Sequence, residues 1–269
     1  MNEPIISVRE LSKSFGGFKA VDRISFEVAR GEIFGFLGAN GAGKTTAMRM
    51  LCGLSRPTSG GGTVAGYDIA RQGERIKRHI GYMSQRFSLY DDLTVIENIR
   101  LYGGIYGLSR REILRRAVAL LRRLDFRRES RTLVGALPLG WKQKLAFSVA
   151  TLHRPEVVFL DELTTGLDVK ARRDVWNLLD EMRQQGMTIV LTSHFMDEVE
   201  ALCDRVIILR KGRIVFEGTV AEAVASGPFA SFEDAYLAYA EPAEHAESVE
   251  AAEPAATAHF SEGGAHESL

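Results

Sequence analysis

The sequence predicts an α/β fold with a mostly parallel core sheet, an antiparallel β subdomain and an inserted helical subdomain. Three observations carry this. Short runs rich in β-branched and aromatic residues recur at 33–37, 157–160, 188–191 and 206–209, and helical patterns at 170–185 and 196–202 lie between the later ones. Near-continuous apolar strands alternating with helices read as a buried parallel sheet with helical crossovers. The run Ile24-Ser25-Phe26-Glu27-Val28 alternates instead, as a half-exposed antiparallel strand does. Residues from about 93 to 154 show no convincing strand and read as helical.

Composition sets the outer bounds. The chain has 269 residues, 45% hydrophobic and 26% charged, which suits a globular protein of about two domains or one large α/β unit. No window approaches 18 consecutive apolar residues, so no membrane span is expected. Met1-Asn2-Glu3-Pro4 has neither a basic n-region nor an apolar h-region, so no secretory leader is expected either. Cys52 and Cys203 sit in apolar stretches without metal-ligand spacing and read as reduced core thiols.

Charge divides the chain. Residues 241–269 hold seven Glu, eight Ala and no Lys or Arg, which leaves 34 basic against 28 acidic residues in 1–240. The acidic stretch offers little apolar surface to offset ordering entropy and reads as a disordered tail. The expected organisation is a core over about 1–92 and 155–225, a helical subdomain over about 93–154, a C-terminal helix over about 226–240 and the tail.

The glycine-rich segment Gly38-Ala39-Asn40-Gly41-Ala42-Gly43-Lys44-Thr45 follows an apolar strand and opens a helical pattern. That context makes G-x-x-x-x-G-K-[ST] a phosphate-binding P-loop. The glycines allow backbone N–H groups to converge on a polyphosphate, and the helix N-terminus adds partial positive charge. Asn40, Ala42 and Thr46 belong to the same cradle. Lys44 is suited to the β- and γ-phosphates of a nucleotide, and the Thr45 hydroxyl to Mg²⁺. A P-loop alone does not choose among kinases, GTPases and motor ATPases.

Val157-Val158-Phe159-Leu160-Asp161-Glu162 is an apolar strand ending in two carboxylates. Ligands bind at strand carboxyl ends in open parallel sheets, so Asp161 is placed to hold Mg²⁺ through water and Glu162 to act on a water in line with the γ-phosphate. His194 ends another strand and is placed to meet the γ-phosphate and Glu162. Gln85 follows an apolar segment and could ligate Mg²⁺ or position water.

These residues together resemble an ATP-binding cassette, the nucleotide-binding domain of ABC transporters. Gln85 matches its Q-loop, 157–162 its Walker B strand, Gly166-Leu167-Asp168 its D-loop and His194 its switch histidine. Phe15 stands where the family stacks an aromatic ring on adenine; the alternative is a core ring. The signature register reads Leu137-Pro138-Leu139-Gly140-Trp141-Lys142-Gln143, with Pro138 in place of the family's serine. Gly140 and the helix after it still offer backbone donors. This form is similar to that of drug-exporter cassettes that pair with ABC-2-type permeases.

The resemblance implies two cassettes paired head to tail around ATP, in a homodimer or with a related chain. Asp168 and Gly140 would face the partner's nucleotide. It also implies separate permease subunits, a peripheral place on the cytoplasmic face of the cell membrane, and export of a drug-like or lipophilic small molecule. The alternative reading is a non-transport cassette ATPase acting on nucleic acid or ribosomes. Nine Arg against three acidic residues in 110–131 lie on an amphipathic pattern. This reads as a solvated face first, a membrane-facing one second, and a nucleic-acid contact third; no nucleic acid is expected as a partner.

Overall fold

The computed structural model describes residues 3–84 and 89–240. Two sheets form it. Strands β1 (Ile6–Phe15), β2 (Phe18–Val28), β4 (Ser59–Val64) and β5 (Tyr67–Asp68) make an antiparallel sheet in the order β2-β1-β4-β5. Strands β3 (Ile33–Gly38), β6 (Ile80–Met83), β7 (Val157–Asp161), β8 (Thr188–Thr192), β9 (Arg205–Arg210) and β10 (Arg213–Gly218) make the second. Its order is β10-β9-β3-β8-β7-β6. All its pairs are parallel except the edge hairpin of β9 with β10. The fold class read from the sequence is therefore the one observed, antiparallel run included: Ile24, Phe26 and Val28 are buried while Ser25 and Glu27 are exposed.

The two-residue period of the central strands divides the core. Phe34 and Phe36 of β3, Val157 and Phe159 of β7, and Ile207 and Leu209 of β9 face the antiparallel sheet and helix α1 (Lys44–Leu51). The intervening Val158, Leu160, Ile189 and Leu191 pack against the helical stretch. That stretch holds α3 (Val95–Ile105), α4 (Arg110–Arg123) and α5 (Leu139–Ala150), while α2 (Gly73–His79) lies earlier in the chain. Capping boxes fix the starts of α3 and α4: Thr94 with Glu97, and Ser109 with Glu112. Helix α6 (Val169–Gln184) crosses from β7 to β8, and α7 (Met196–Leu202) from β8 to β9.

The C-terminal part differs in detail from expectation. The helix expected over about 226–240 is α9 (Phe232–Ala240), which starts later, and a short helix not expected, α8 (Val220–Ala225), precedes it. Gly227-Pro228 separates them, since proline cannot continue a helix. Cys52 is buried, Cys203 is partly so, and both are free thiols. Burial pushes both thiols well above the ordinary range. The Arg side of α4 is open: Arg110, Arg111, Arg115, Arg122 and Arg123 are exposed. The tail expected over 241–269 lies outside the described residues.

Candidate functional site

The glycine-rich loop joins β3 to α1. Gly43 caps α1 with φ 106°, and a Cβ there would run into the Ala20 carbonyl. Gly38 has φ 145° and the Leu209 carbonyl lies where its Cβ would stand. Glycine is thus required at both positions by space as well as by backbone angle. Among the described residues no side chain caps α1, so the first-turn N–H groups of Lys44, Thr45 and Thr46 are placed to serve a ligand. Lys44 Nζ donates to the carbonyls of Gly38 at 2.5 Å and Ala39 at 3.2 Å. Burial draws the Lys44 ammonium below its ordinary range, and the nearby Glu162 and Asp161 charges oppose that shift.

Sheet order brings the acidic strand and the histidine to this loop. β8 lies between β3 and β7, so the carboxyl ends of all three converge. Asp161 pairs in register with Thr192, whose Oγ1 donates to Asp161 Oδ1 at 2.6 Å. The same Oγ1 accepts from the Glu162 backbone N–H at 3.1 Å. Glu162 has φ 54°, a left-handed conformation uncommon for a non-glycine residue. Strain of this kind costs about 1–3 kcal/mol and gathers at functional sites. This turn carries the Glu162 side chain to His194, with Oε1 2.5 Å from Nε2. Glu162 is nearly buried and His194 is 38% exposed, so the pair has one face open to solvent.

A cleft of about 660 Å³ opens over these groups. Asn40, Gly41, Gly43, Lys44, Thr45 and Thr46 form one wall, and Asp161, Glu162 and His194 another. Phe18 completes it, a residue that sequence reasoning did not single out. Its signal was available, because Phe18 is the register partner of Phe15 across the Gly16-Gly17 turn. Phe15 is 57% exposed and has Lys13 Nζ 5.2 Å from its ring centre, so the core alternative for it does not hold. Thr192 was also missed; nothing in its sequence context marks it apart from its place at a strand end.

Other expected residues lie elsewhere. Gly38 and Ala42 serve the scaffold: Ala42 is buried, and its carbonyl accepts from Gly212 N at 2.9 Å. Asp168 caps α6, accepting from Ala171 N at 2.8 Å. Gly140, in the first turn of α5, faces Leu167 and Ala171. Gly140 and Asp168 therefore adjoin each other's segments and do not line the cleft. Gln85 lies outside the described residues.

A P-loop on a parallel sheet, with two carboxylates and a histidine at adjoining strand ends, defines a nucleotide-binding P-loop protein. The family described as ABC transporter matches residues 21–165, and the chain belongs to that family as an ATP-binding cassette, a class of ATPase. It is 42% identical over 217 residues to the "Probable multidrug ABC transporter ATP-binding protein YbhF" of Escherichia coli (strain K12), across 81% of this chain. The chain spans only 37% of that relative's length. It is 35% identical to the linearmycin resistance ATP-binding protein LnrL of Bacillus subtilis (strain 168), over 80% of this chain and 69% of that one. A solved ATP-binding subunit of an ABC transporter superposes with a TM-score of 0.78 at 31% identity, covering 87% of this chain and 98% of that one.

Proposed function

We propose that the chain is the ATP-hydrolysing subunit of an exporter for a drug-like or lipophilic small molecule. ATP is held between two head-to-tail cassettes, and separate permease subunits, of ABC-2 type, carry the cargo. The subunit works as a peripheral protein on the cytoplasmic face of the cell membrane. Among the described residues no helix is long and apolar enough to cross a membrane, so this reading requires a separate translocation path. The names of the multidrug and linearmycin-resistance relatives support export and the cargo class.

The single observation that carries the hydrolytic reading is the Glu162–His194 contact, in the same cleft as Lys44. Lys44 and the α1 N-terminus bind the β- and γ-phosphates. The Glu162 carboxylate orients the attacking water or takes its proton. His194 holds the Glu162 carboxylate and hydrogen-bonds the γ-phosphate. Phe15 and Phe18 offer ring faces to the base. Gly140 and Asp168 point to a second copy, because the cleft does not include them.

The donor set fits Mg²⁺ carried in on the nucleotide. The Thr45 hydroxyl and the Thr192-anchored Asp161 line one cleft. Thr45 and Asp161 would hold the ion, which would supply charge neutralisation at the phosphates; Gln85 is a further candidate ligand.

Glu162→Gln tests the reading. ATP binding should persist while turnover falls by about 10²-fold or more, leaving an ATP-bound dimer that gel filtration detects. Undiminished phosphate release from the purified variant would remove Glu162 from this role.

A further inference from the structure

Glu198 is a buried carboxylate, 3% exposed, in the first turn of α7. Desolvation of a carboxylate is costly unless hydrogen bonds replace the lost water. Here they come from three separate segments. Thr164 Oγ1, just past Glu162, donates to Oε2 at 3.0 Å. Ser193 Oγ, beside His194, donates to the same oxygen at 2.5 Å. Trp176 Nε1, in the second turn of α6, donates to Oε1 at 3.0 Å. Burial is the largest influence on this group and raises its carboxyl above the ordinary range, while the three donors pull it back.

A second set of contacts joins the same elements. Arg172 of α6 lies over the Phe195 ring, 4.5 Å from its centre, and pairs with Asp197. Phe195 N donates to Ser193 Oγ at 3.0 Å, which closes the turn that carries His194. Helix α6 thus grips the histidine loop at Phe195 and helix α7 at Asp197 and Glu198, and Glu198 binds the loop to the Glu162 turn as well. Helix α6 is itself capped by Asp168, and its first turn adjoins Gly140 of α5.

We infer that Glu198 is a positioning residue for the hydrolytic pair, locking the Glu162 turn and the His194 loop to helix α6. The inference rests on the reading of Glu162 and His194 given above. Glu198 does not line the cleft. It acts by holding the 2.5 Å contact between His194 and Glu162 in register. A shift of α6 at its Asp168 end is passed through Trp176 and Glu198 to His194. The helix that begins at Asp168 is thereby tied to the loop that carries His194.

Four proteins test this: the full chain and its Glu198→Ala, Glu198→Gln and Trp176→Phe variants, measured for ATP turnover, ATP and ADP affinity, and melting temperature. Glutamine can accept from Trp176 with its oxygen, while the Ser193 and Thr164 hydroxyls rotate to accept from its amide. Glu198→Ala should lower kcat by about tenfold or more, as misplacement by around an ångström does, with ADP affinity held within about twofold. Its preference for ATP over ADP should fall, because His194 no longer meets the γ-phosphate. Glu198→Gln should recover kcat to within about threefold of the parent, and Trp176→Phe should fall between the two, since one donor of three is lost. If Glu198→Ala does not fold, the Gln and Phe variants carry the test through the same kcat and ATP-to-ADP ratios. Parental kcat in Glu198→Ala, or in Trp176→Phe where Glu198→Ala does not fold, overturns the inference. So does an equal loss of ATP and ADP affinity in proportion to melting temperature, which marks a purely structural role. A parent chain that hydrolyses ATP while Glu198→Ala matches it sinks this inference alone; a parent chain with no turnover sinks the reading of the site.

Discussion

The indole of Trp141 stacks on the ring of Phe126, centroids 4.6 Å apart and planes 12° from parallel. Phe126 is buried under the helical stretch, whereas Trp141 is 38% exposed in the first turn of α5. The large ring at this signature position is therefore bound within its own chain. Lys142 reinforces the hold through Asp91, 3.1 Å away. Trp141→Ala should lower stability by about 2 kcal/mol, from lost area and ring stacking, as read by denaturant unfolding.

Pro138 is the N-cap of α5, with φ −57° and ψ 151° and no side-chain cap. Those angles suit a serine N-cap, whose hydroxyl would accept from the first turn. Pro138→Ser should raise stability by about 1 kcal/mol. The added hydroxyl should also tighten the ATP-bound dimer, measured by light scattering on a Glu162→Gln background. Equal dimerisation in the two proteins would show that backbone donors at Leu139 and Gly140 suffice.

Much of this site was legible because its chemistry is local. The P-loop fixes its residue types within eight positions, and the Asp161-Glu162 pair ends a run of four apolar residues. What was hidden depends mostly on pairing between distant segments. Thr192 orients Asp161 only because β7 and β8 adjoin in register. Phe18 is the local exception, brought back onto Phe15 by the Gly16-Gly17 turn. Strands β4 and β5 escaped notice for a related reason. Ser59-Gly60-Gly61-Gly62 has almost no side chain to show a period, and the Glu10 and Ser7 carbonyls stand where Cβ atoms on Gly60 and Gly62 would go. The Glu198 cluster gathers residues 164, 176, 193 and 198, whose spacing follows no single period.

Phe18 is 65% exposed and lines the cleft beside Lys44. A ring face at that edge suits a planar base. Phe18→Ala should weaken ATP binding by about three- to tenfold, the value of one stacking contact, and leave folding stability nearly unchanged. Titration of a fluorescent ATP analogue measures the first, and thermal unfolding the second.

His153 sets an acid limit on the fold. Its ring stacks on Tyr106, centroids 3.8 Å apart, and Nε2 donates to the Ile80 carbonyl at 3.0 Å. Burial pushes its pKa from 6.5 down to about 4, and the charges of Arg116 and His79 push the same way. A neutral folded imidazole means that the unfolded chain binds the proton more readily. Its contribution is complete above pH 6.5 and is lost as pH falls toward 4. Between pH 7 and pH 5 this one group should remove about 2 kcal/mol of stability. His153→Phe keeps the ring against Tyr106 and loses the hydrogen bond to Ile80. It should be less stable than the parent at pH 7 by about 1 kcal/mol and flatter with acidification. Urea unfolding of both proteins at pH 7, 6 and 5 checks the sign. A parent curve with the same slope as His153→Phe would show that His153 is not the group responsible.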